Sequence, residues 1–389
     1  MSPLNLADLS VALREQGLGQ PRFLVDQAAL QANIDCMRRI AQGERLRLVL
    51  KSLPCPRLID HLMQAGQTRK LMVFHLPFLL QAVRCWPQAD ILMGKPLPEA
   101  AIRSFYQQFD GTDGFVPGKQ LHWLVDTPDR VGQLANLARE IGQSLSVAVE
   151  LDVGMHRGGA TLPDEVEAIL ARISQSRGGL TLSGFMGYDA HIGKSPPWVN
   201  RSRALARANS RFRALIDATR ETAPALMPKK PIINGSGSPT CVYHDESSPV
   251  NELAVGSAFL KPAEFDLPQL DEFQPACWIA APVIKRQRGV QLPFIESLSR
   301  WSRRDMLFVY GGRWHARPAW PAGMRESRLY GSSFNQQLFT IPRSVMPGPD
   351  DFVFFRPLQS EQVMLQLGDV LLIDDQRIAA HWPVLQQSI

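Results

Sequence analysis

The apolar residues of the first two thirds of the chain form short runs that are separated mostly by stretches with helical spacing. Runs of Val, Ile and Leu without polar alternation are typical of parallel strands that are covered on both faces. Eight such runs occur in series, at residues 46–51, 70–75, 89–94, 121–126, 146–152, 180–189, 231–237 and 251–257. Because strands that alternate with helices form βα units, this pattern predicts an α/β fold built on a closed (β/α)8 TIM barrel.

After about residue 262 the pattern changes to closely spaced strand-like segments. They are residues 276–289, 306–312, 328–343, 350–358 and 363–375, with turn residues between them and no convincing amphipathic helix. This arrangement predicts a second domain that is all-β. We therefore expect a barrel domain at residues 20–262 and a β domain at residues 263–389, with residues 1–19 packed on the β domain.

The composition narrows the class of protein. The chain of 389 residues is 45% apolar and 20% charged, as in ordinary soluble globular proteins, and its net charge is only +5. The most basic stretch, residues 201–213, indicates a solvated helix face rather than a nucleic-acid site. The sequence shows no signal-peptide pattern, no run long enough to span a membrane and no metal-type cysteine spacing. We expect a cytoplasmic protein that binds a small molecule, and neither nucleic acid nor a membrane.

A lysine ends the first apolar run, where barrel enzymes place their chemistry. An amine that is partly removed from water gives up its proton more readily, so Lys51 could form a Schiff base. The alternative is a lysine whose amine extends into water at the barrel rim. Lys95 and Lys261 are similarly placed, so spacing alone does not choose among the three.

Glycine and serine residues follow the seventh run and end the eighth. Loops at these two positions of a barrel often bind phosphate, because glycine lets backbone N–H groups approach the oxygens and serine adds hydroxyl donors. The candidate phosphate ligands are Gly235, Ser236, Gly237, Ser238, Gly256 and Ser257.

Two other strand ends carry candidate chemistry. Arg157 lies in a glycine-flanked loop after the fifth run and could bind an anionic oxygen or form a buried salt bridge with Asp152. Tyr188 and His191 follow the sixth run and could act as an acid–base pair. Core packing of the tyrosine and a simple loop position of the histidine are the alternatives.

Two histidines lie at opposite ends of their strands. His75 ends the second run, so it could contact a ligand. His122 begins the fourth run, so we expect it at the end of the barrel that serves stability.

This set of residues resembles the fold-type III pyridoxal-phosphate enzymes, which have the alanine-racemase-like fold. The shared features are a lysine on strand one, an arginine loop after strand five, a tyrosine on strand six, a glycine-serine loop after strand seven, and a β domain. The segments "VELDVGMHRGG", "GFMGYDAH", "INGSGSPT" and "NELAVGSAF" resemble the D-threonine aldolase and D-serine dehydratase family. The resemblance covers nearly the whole chain and is weaker in the β domain.

The resemblance implies a cofactor, pyridoxal 5'-phosphate, that is bound covalently to Lys51. Arg157 would lie beside its ring, Tyr188 would lie near cofactor and substrate, and the glycine-serine residues would bind the phosphate. We also count His75 among the candidate cofactor contacts. The implied enzyme is a homodimeric lyase that acts on a D-configured β-hydroxy amino acid through an external aldimine.

Two other functions stay open at this point. One is an amino-acid racemase or epimerase, in which Lys51 works on one face of Cα and Tyr188 or His191 on the other. The second is a non-catalytic pyridoxal-phosphate-binding protein, which the additional β domain argues against.

The sequence departs from the family pattern at the expected metal site. The family usually holds a metal ion with a histidine and, two residues later, a cysteine or aspartate near the C-terminus. Arg377 and Ala379 occupy those positions here. A guanidinium and a methyl group offer no lone pair to a metal, so we predict no metal site. A shifted site at Asp375 and His381 is the alternative.

Overall fold

The computed structural model describes residues 4–291, 293–294, 299, 301–327, 331–345 and 347–387. The chain begins with helix α1 (Leu6–Glu15), strand β1 (Arg22–Asp26) and helix α2 (Gln27–Ile40). Each of these two helices starts at a side chain of the type that favours helix starts. Asn5 accepts a hydrogen bond from the N–H of Ala7 at 3.0 Å, and Asp26 accepts one from the N–H of Ala28 at 2.9 Å.

In the described part of the chain, eight parallel strands close into a barrel in sequence order. They are β2 (Leu46–Val49), β3 (Lys70–Val73), β4 (Asp90–Met93), β5 (Leu121–Val125), β6 (Leu145–Glu150), β7 (Leu180–Met186), β8 (Ile232–Gly235) and β9 (Glu252–Val255). The barrel closes where β2 pairs with β9, with Leu48 beside Val255. Seven predicted runs contain one of these strands and β6 begins one residue before the fifth run, so the predicted (β/α)8 barrel is confirmed.

Helices separate the barrel strands along the chain. They are α3 (Pro56–Gly66), α4 (Leu76–Cys85), α5 (Glu99–Gln108), α6 (Pro117–Gln120), α7 (Pro128–Ile141), α8 (Pro163–Gln175), α9 (Ala190–Gly193) and α10 (Arg201–Thr222). Helix α7 carries both helix-end signals, because Thr127 caps its first turn and Gly142 ends it with φ of 66°. Within the described residues, no helix is both long enough and apolar enough to cross a membrane.

The described strands outside the barrel form one nine-stranded sheet. It contains β1, β10 (Cys277–Gln287), β11 (Arg304–Tyr310), β12 (Ala316–Trp320), β13 (Arg325–Glu326), β14 (Gln336–Pro342), β15 (Phe352–Pro357), β16 (Asp369–Asp374) and β17 (Arg377–Pro383). Strand β1 pairs with β10 on one side and with β16 on the other. The chain therefore contributes a strand to this sheet before it enters the barrel, although β1 lies inside the predicted barrel range 20–262. The domain limits stay predictions.

The separate β-sheet domain is confirmed, and it includes one helix that the sequence pattern missed. Helix α11 (Ser360–Leu367) covers part of the predicted strand segment 363–375, and β16 begins only at Asp369. Leu, Met and Gln favour helix, and Gly368 ends it with φ of 81°. Residues 328–330 of another predicted strand segment lie outside the described residues.

Helix α1 packs on the face of the β sheet. Leu9 and Leu13 are fully buried and share an apolar core with Leu24, Phe352 and Phe354. Burial of a leucine side chain contributes about 1.5–3 kcal/mol, so these two contacts hold the N-terminal helix on the sheet.

Charged side chains fill the barrel at the amino-terminal ends of its strands. The guanidinium of fully buried Arg47 donates to Glu252 Oε2 at 2.7 Å and to Asp90 Oδ1 at 2.6 Å. The other oxygen of Asp90 lies 3.0 Å from His122 Nε2. His122 thus lies at the end of the barrel predicted for it. The basal ion cluster, as we name this group, comprises Arg47, Lys70, Asp90, His122, Ser146 and Glu252.

Candidate active site

A cavity opens at the carboxyl-terminal ends of the barrel strands. It encloses about 830 Å³, including open solvent at its mouth. The predicted residues that line it are Lys51, Arg157, Tyr188, Ser236, Gly237, Ser238, Gly256 and Ser257.

Lys51 enters the cavity from a short 3₁₀ turn, Leu50–Ser52, that directly follows β2. Its amine lies 4.7 Å from the centre of the Phe74 ring, and no carboxylate of the described residues pairs with it. The two competing lysines are placed differently. Lys261 is buried and donates to the carbonyl of Phe273 at 2.7 Å, and the side chain of Lys95 is exposed. Of the three, Lys51 alone lines the cavity.

Arg157, Tyr188 and Gly237 form a stack in the cavity wall. The Arg157 guanidinium carbon lies 4.7 Å from the centre of the Tyr188 ring, a cation–π contact. A Cβ atom at Gly237 would lie only 2.7 Å from Tyr188 Cε2, so this packing requires glycine. Burial raises the pKa of the Tyr188 phenol, and the positive charge of Arg157 offsets only part of that effect.

The salt bridge between Arg157 and Asp152, the alternative that the sequence left open, does not form among the described residues. Asp152 instead accepts hydrogen bonds from the backbone N–H groups of Gly154 at 2.8 Å and His156 at 3.0 Å. Its second oxygen lies 2.7 Å from His156 Nδ1. These bonds use the Asp152 carboxylate to shape the loop, which leaves Arg157 free to stack on the tyrosine.

Residues 236–240, which we name the serine loop, connect the end of β8 to the cavity. Ser236 has a left-handed backbone with φ of 69°, which is uncommon for a residue with a side chain. Ser238 Oγ accepts hydrogen bonds from the N–H groups of Gly256 at 3.3 Å and Ala258 at 3.0 Å. The two predicted phosphate-binding segments are thus joined directly through one serine hydroxyl.

Three predicted site residues lie outside the cavity lining. Gly235 ends β8, where a Cβ atom would lie 2.5 Å from Val250 Cγ1. His75 packs its ring on Phe78, with a centroid distance of 4.2 Å. His191 lies in α9 with its Nε2 beside Gly154. Burial lowers the pKa of both histidines, and their roles in a site stay predictions.

Sequence reasoning missed six polar or aromatic residues of the cavity wall. They are Ser52, Phe74, Lys194, Phe265, Gln359 and Glu361. Gln359 and Glu361 lie at the start of helix α11, which is tied to the lysine turn because Ser360 Oγ donates to the carbonyl of Ser52 at 2.9 Å. No local sequence signal points to this contact, since its partners are 308 residues apart.

The described residues contain no group of three or more His, Cys, Asp and Glu side chains that could hold a metal ion. Arg377, Ala379 and His381 lie on the exposed face of the edge strand β17. Asp375 lies in the turn before that strand with φ of 44°.

The cavity residues fit pyridoxal phosphate. The cofactor needs an unpaired lysine amine, a cation or hydroxyl near its ring, and backbone and hydroxyl donors for its phosphate. Lys51, the Arg157–Tyr188 stack and the serine loop supply these groups in one cavity. The nearby Asn234 is also nearly inaccessible, and neither its Oδ1 nor its Nδ2 has a partner among the described residues.

The chain matches the family model of the alanine racemase N-terminal domain over residues 25–262. No curated protein sequence matches it.

Solved structures with the same overall fold share little sequence with the chain. D-threonine aldolase from Filomicrobium marinum has a TM-score of 0.75 at 18% identity, covering 95% of this chain and 97% of the aldolase. D-threo-3-hydroxyaspartate dehydratase from Delftia sp. HT23 has a TM-score of 0.72 at 18% identity, with coverage of 95% and 98%. Alanine racemase from Bacillus anthracis has a TM-score of 0.70 at 14% identity, with coverage of 94% and 98%.

Proposed function

The chain belongs to the alanine racemase N-terminal domain family of fold-type III pyridoxal-phosphate enzymes. From this premise we propose that it is a pyridoxal-phosphate-dependent lyase acting on a D-configured β-hydroxy amino acid. The observation that carries the proposal is the unpaired amine of Lys51 in the same cavity as the serine loop. Two structural neighbours, an aldolase and a dehydratase, act by name on D-amino acids that carry a β-hydroxyl group.

The residues of this chain would hold the cofactor at three points. Lys51 Nζ would bond to its aldehyde carbon, Arg157 would lie beside its ring, and Ser236, Ser238 and Ser257 would bind its phosphate. Once bound, pyridoxal phosphate withdraws electrons from the Cα atom of the attached amino acid and so weakens the bonds to that atom.

Tyr188 favours elimination of water over aldol cleavage. Burial raises the pKa of its phenol, so the hydroxyl keeps its proton at neutral pH. A β-hydroxyl group that leaves needs a proton, which Tyr188 Oη could donate, while Lys51 Nζ takes the proton from Cα. Elimination followed by hydrolysis converts the amino acid to a keto acid and ammonia. Aldol cleavage would instead need a base to remove the proton of the β-hydroxyl group.

The racemase alternative requires a second base on the other face of Cα. Tyr188 is a poor candidate because its raised pKa keeps it protonated, and His191 lies outside the cavity lining. These two observations favour the lyase.

Reduction with borohydride tests the cofactor. We expect the protein incubated with pyridoxal phosphate to absorb visible light and, after reduction, to carry the cofactor on Lys51 in a peptide map. Lys51→Ala should lose the adduct and about 10³-fold or more of the activity. Lys95→Ala, a change of the same kind at an exposed lysine, should keep both. An unmodified Lys51 in the wild-type map would refute the proposal.

Product analysis tests the reaction. With D-serine and D-threonine we expect a keto acid and ammonia. Glycine plus acetaldehyde from D-threonine would show the aldolase outcome instead. Loss of optical activity from D- or L-alanine would favour the racemase.

Treatment with a chelator tests whether the activity requires a metal ion. We propose that activity is independent of a divalent ion, because Arg377 and Ala379 replace the expected ligands. Activity should survive treatment with a chelator. Inactivation that is reversed by manganese or zinc would contradict this.

We also propose that the enzyme is a cytoplasmic homodimer. Light scattering on the holoenzyme should give twice the chain mass, and a monomer at micromolar concentration would contradict the dimer.

A further inference from the structure

A second polar network lies behind the cavity wall, centred on Asp189. This residue directly follows Tyr188, and its carboxylate is buried. Thr240 Oγ1 donates to Asp189 Oδ1 at 2.6 Å, and His244 Nε2 lies 2.7 Å from Asp189 Oδ2. Because a carboxylate only accepts, His244 must carry a proton on Nε2. The other ring nitrogen of His244 lies 2.7 Å from Ser248 Oγ.

This network reaches the serine loop through the hydroxyl group of Thr240. The hydroxyl proton of Thr240 is directed to Asp189, which orients the same oxygen as the acceptor for the N–H of Gly237 at 3.1 Å. The orientation of the Gly237 peptide group therefore depends on a carboxylate located 48 residues earlier in the chain, at the end of β7.

The serine loop contains strain that needs such support. Ser236 is held at φ of 69°, a conformation that is unfavourable for a residue with a side chain and persists only where surrounding contacts impose it. Gly237 also packs on the Tyr188 ring, whose next residue is Asp189. Asp189 thus connects the loop and the tyrosine through two routes, one by hydrogen bonds and one by the backbone.

We propose that Asp189 and His244 form a positioning pair which, through Thr240, holds the serine loop and Tyr188 in the arrangement that receives the cofactor phosphate. The proposal rests on the proposed function, because it assigns the loop to pyridoxal phosphate. Neither Asp189 nor His244 lines the cavity, so the pair acts through its neighbours.

The test compares the affinity of the protein for pyridoxal 5'-phosphate with its affinity for pyridoxal, which lacks the phosphate. This comparison distinguishes a role in positioning the serine loop from an effect on overall stability. In Thr240→Val we expect the dissociation constant for pyridoxal phosphate to rise about tenfold, with that for pyridoxal changing less than about twofold. Thr240→Ser restores the hydroxyl and should restore the preference for the phosphate.

If Thr240→Val does not fold, Asp189→Asn is a second variant that tests the same positioning role. The amide keeps an acceptor for Thr240 but loses the charge opposite His244, so we expect a smaller loss, about threefold, of the same preference. The matched control is His122→Asn, which breaks the His122–Asp90 pair, a histidine–carboxylate pair at the other end of the barrel. It should lower stability and leave the preference unchanged.

The outcomes distinguish the two proposals. If the wild-type protein binds neither compound at Lys51, the proposed function fails, and this inference fails with it. If the wild type prefers pyridoxal phosphate and Thr240→Val retains that preference, the positioning pair is refuted while the proposed function stands. A loss of preference in His122→Asn as large as in Thr240→Val would also refute the pair.

Discussion

The two ends of the barrel differ in whether polar side chains without a partner occur among their described residues. In the basal ion cluster, the buried guanidinium of Arg47 meets two carboxylates, and both nitrogens of His122 have partners. At the cavity end, the Nδ1 atoms of His75 and His191 and both amide atoms of Asn234 have no partner among the described residues. Buried polar groups without partners are rare and costly, and they concentrate where a ligand can complete them.

The pKa values of the carboxyl groups separate the two ends as well. Burial by itself would raise the pKa of Glu252 and Asp90, but the charge and hydrogen bonds of Arg47, together with Lys70 at Glu252 and His122 at Asp90, outweigh it and lower both. At the cavity end, burial and the nearby Asp126 raise the pKa of Glu150 to about 7. The charge of the nearby Arg157 lowers the pKa of Glu150 and offsets only part of this effect.

The most direct test of this difference replaces the central cation at each end of the barrel, Arg47 or Lys51, with methionine. In Arg47→Met the buried carboxylates lose their counter-charge, and we expect the free energy of unfolding to fall by about 3–5 kcal/mol. In Lys51→Met, where no carboxylate depends on the amine, we expect a change within about 1 kcal/mol. Urea denaturation of both variants without cofactor measures the difference, and equal losses would show that the ends do not differ in this way.

The pH dependence of the free energy of unfolding tests the state of Glu150 at the cavity end. Its folded-state pKa is raised above its unfolded value, so its contribution to stability is fully present below the unfolded pKa and is lost as pH rises through about 7. Glu150→Gln does not ionise. The stability of the variant relative to the wild type should therefore rise by about 2–3 kcal/mol between pH 4 and pH 8. Denaturation at both pH values measures this, and a difference that stays constant would contradict it.

Gly237 tests how closely the cavity wall is packed. A methyl group there would meet the Tyr188 ring at 2.7 Å, so Gly237→Ala should cost about 1–2 kcal/mol of stability. Gly132 provides the control, because it lies in helix α7 with the nearest atom to an added Cβ 3.8 Å away. Gly132→Ala should stabilise by up to about 1 kcal/mol. Thermal unfolding of both variants should show shifts of opposite sign, and shifts of the same sign would argue against tight packing at the tyrosine.

Replacing Lys70 tests whether the stability of the basal ion cluster depends on Arg47 alone. The Lys70 amine lies 3.1 Å from Glu252 Oε1, but Arg47 already neutralises that carboxylate, and the lysine side chain is 24% exposed. Lys70→Met should cost only about 0.5 kcal/mol, and less at high salt. A loss as large as that of Arg47→Met would place the lysine at the centre of the cluster.

Local patterns were sufficient for most of the architecture and for part of the site. The eight barrel strands were predictable because each apolar run ends at a residue that breaks it, and Lys51 and Tyr188 were candidates because they follow such runs. Helix α11 was missed because its apolar residues were grouped with those of β16 in one strand segment, although Gly368 and Asp369 separate them. Gln359 and Glu361 were missed with it, since they reach the cavity only through contacts between distant parts of the chain.

The order of strands and turns along the chain follows from residue spacing. The periodicity of a strand or a helix is a short-range property, because it is visible within a few neighbouring residues. Which ionisable groups are paired does not follow from spacing. Arg47 meets Glu252 only because the first and last barrel strands become neighbours when the sheet closes, which joins residues 205 positions apart. Within the described residues, the fold leaves Lys51 without a counter-charge, and the pairing of β7 with β8 brings Asp189 to Thr240. Partners of this kind are set by the distance between strands in space, which the local sequence does not contain.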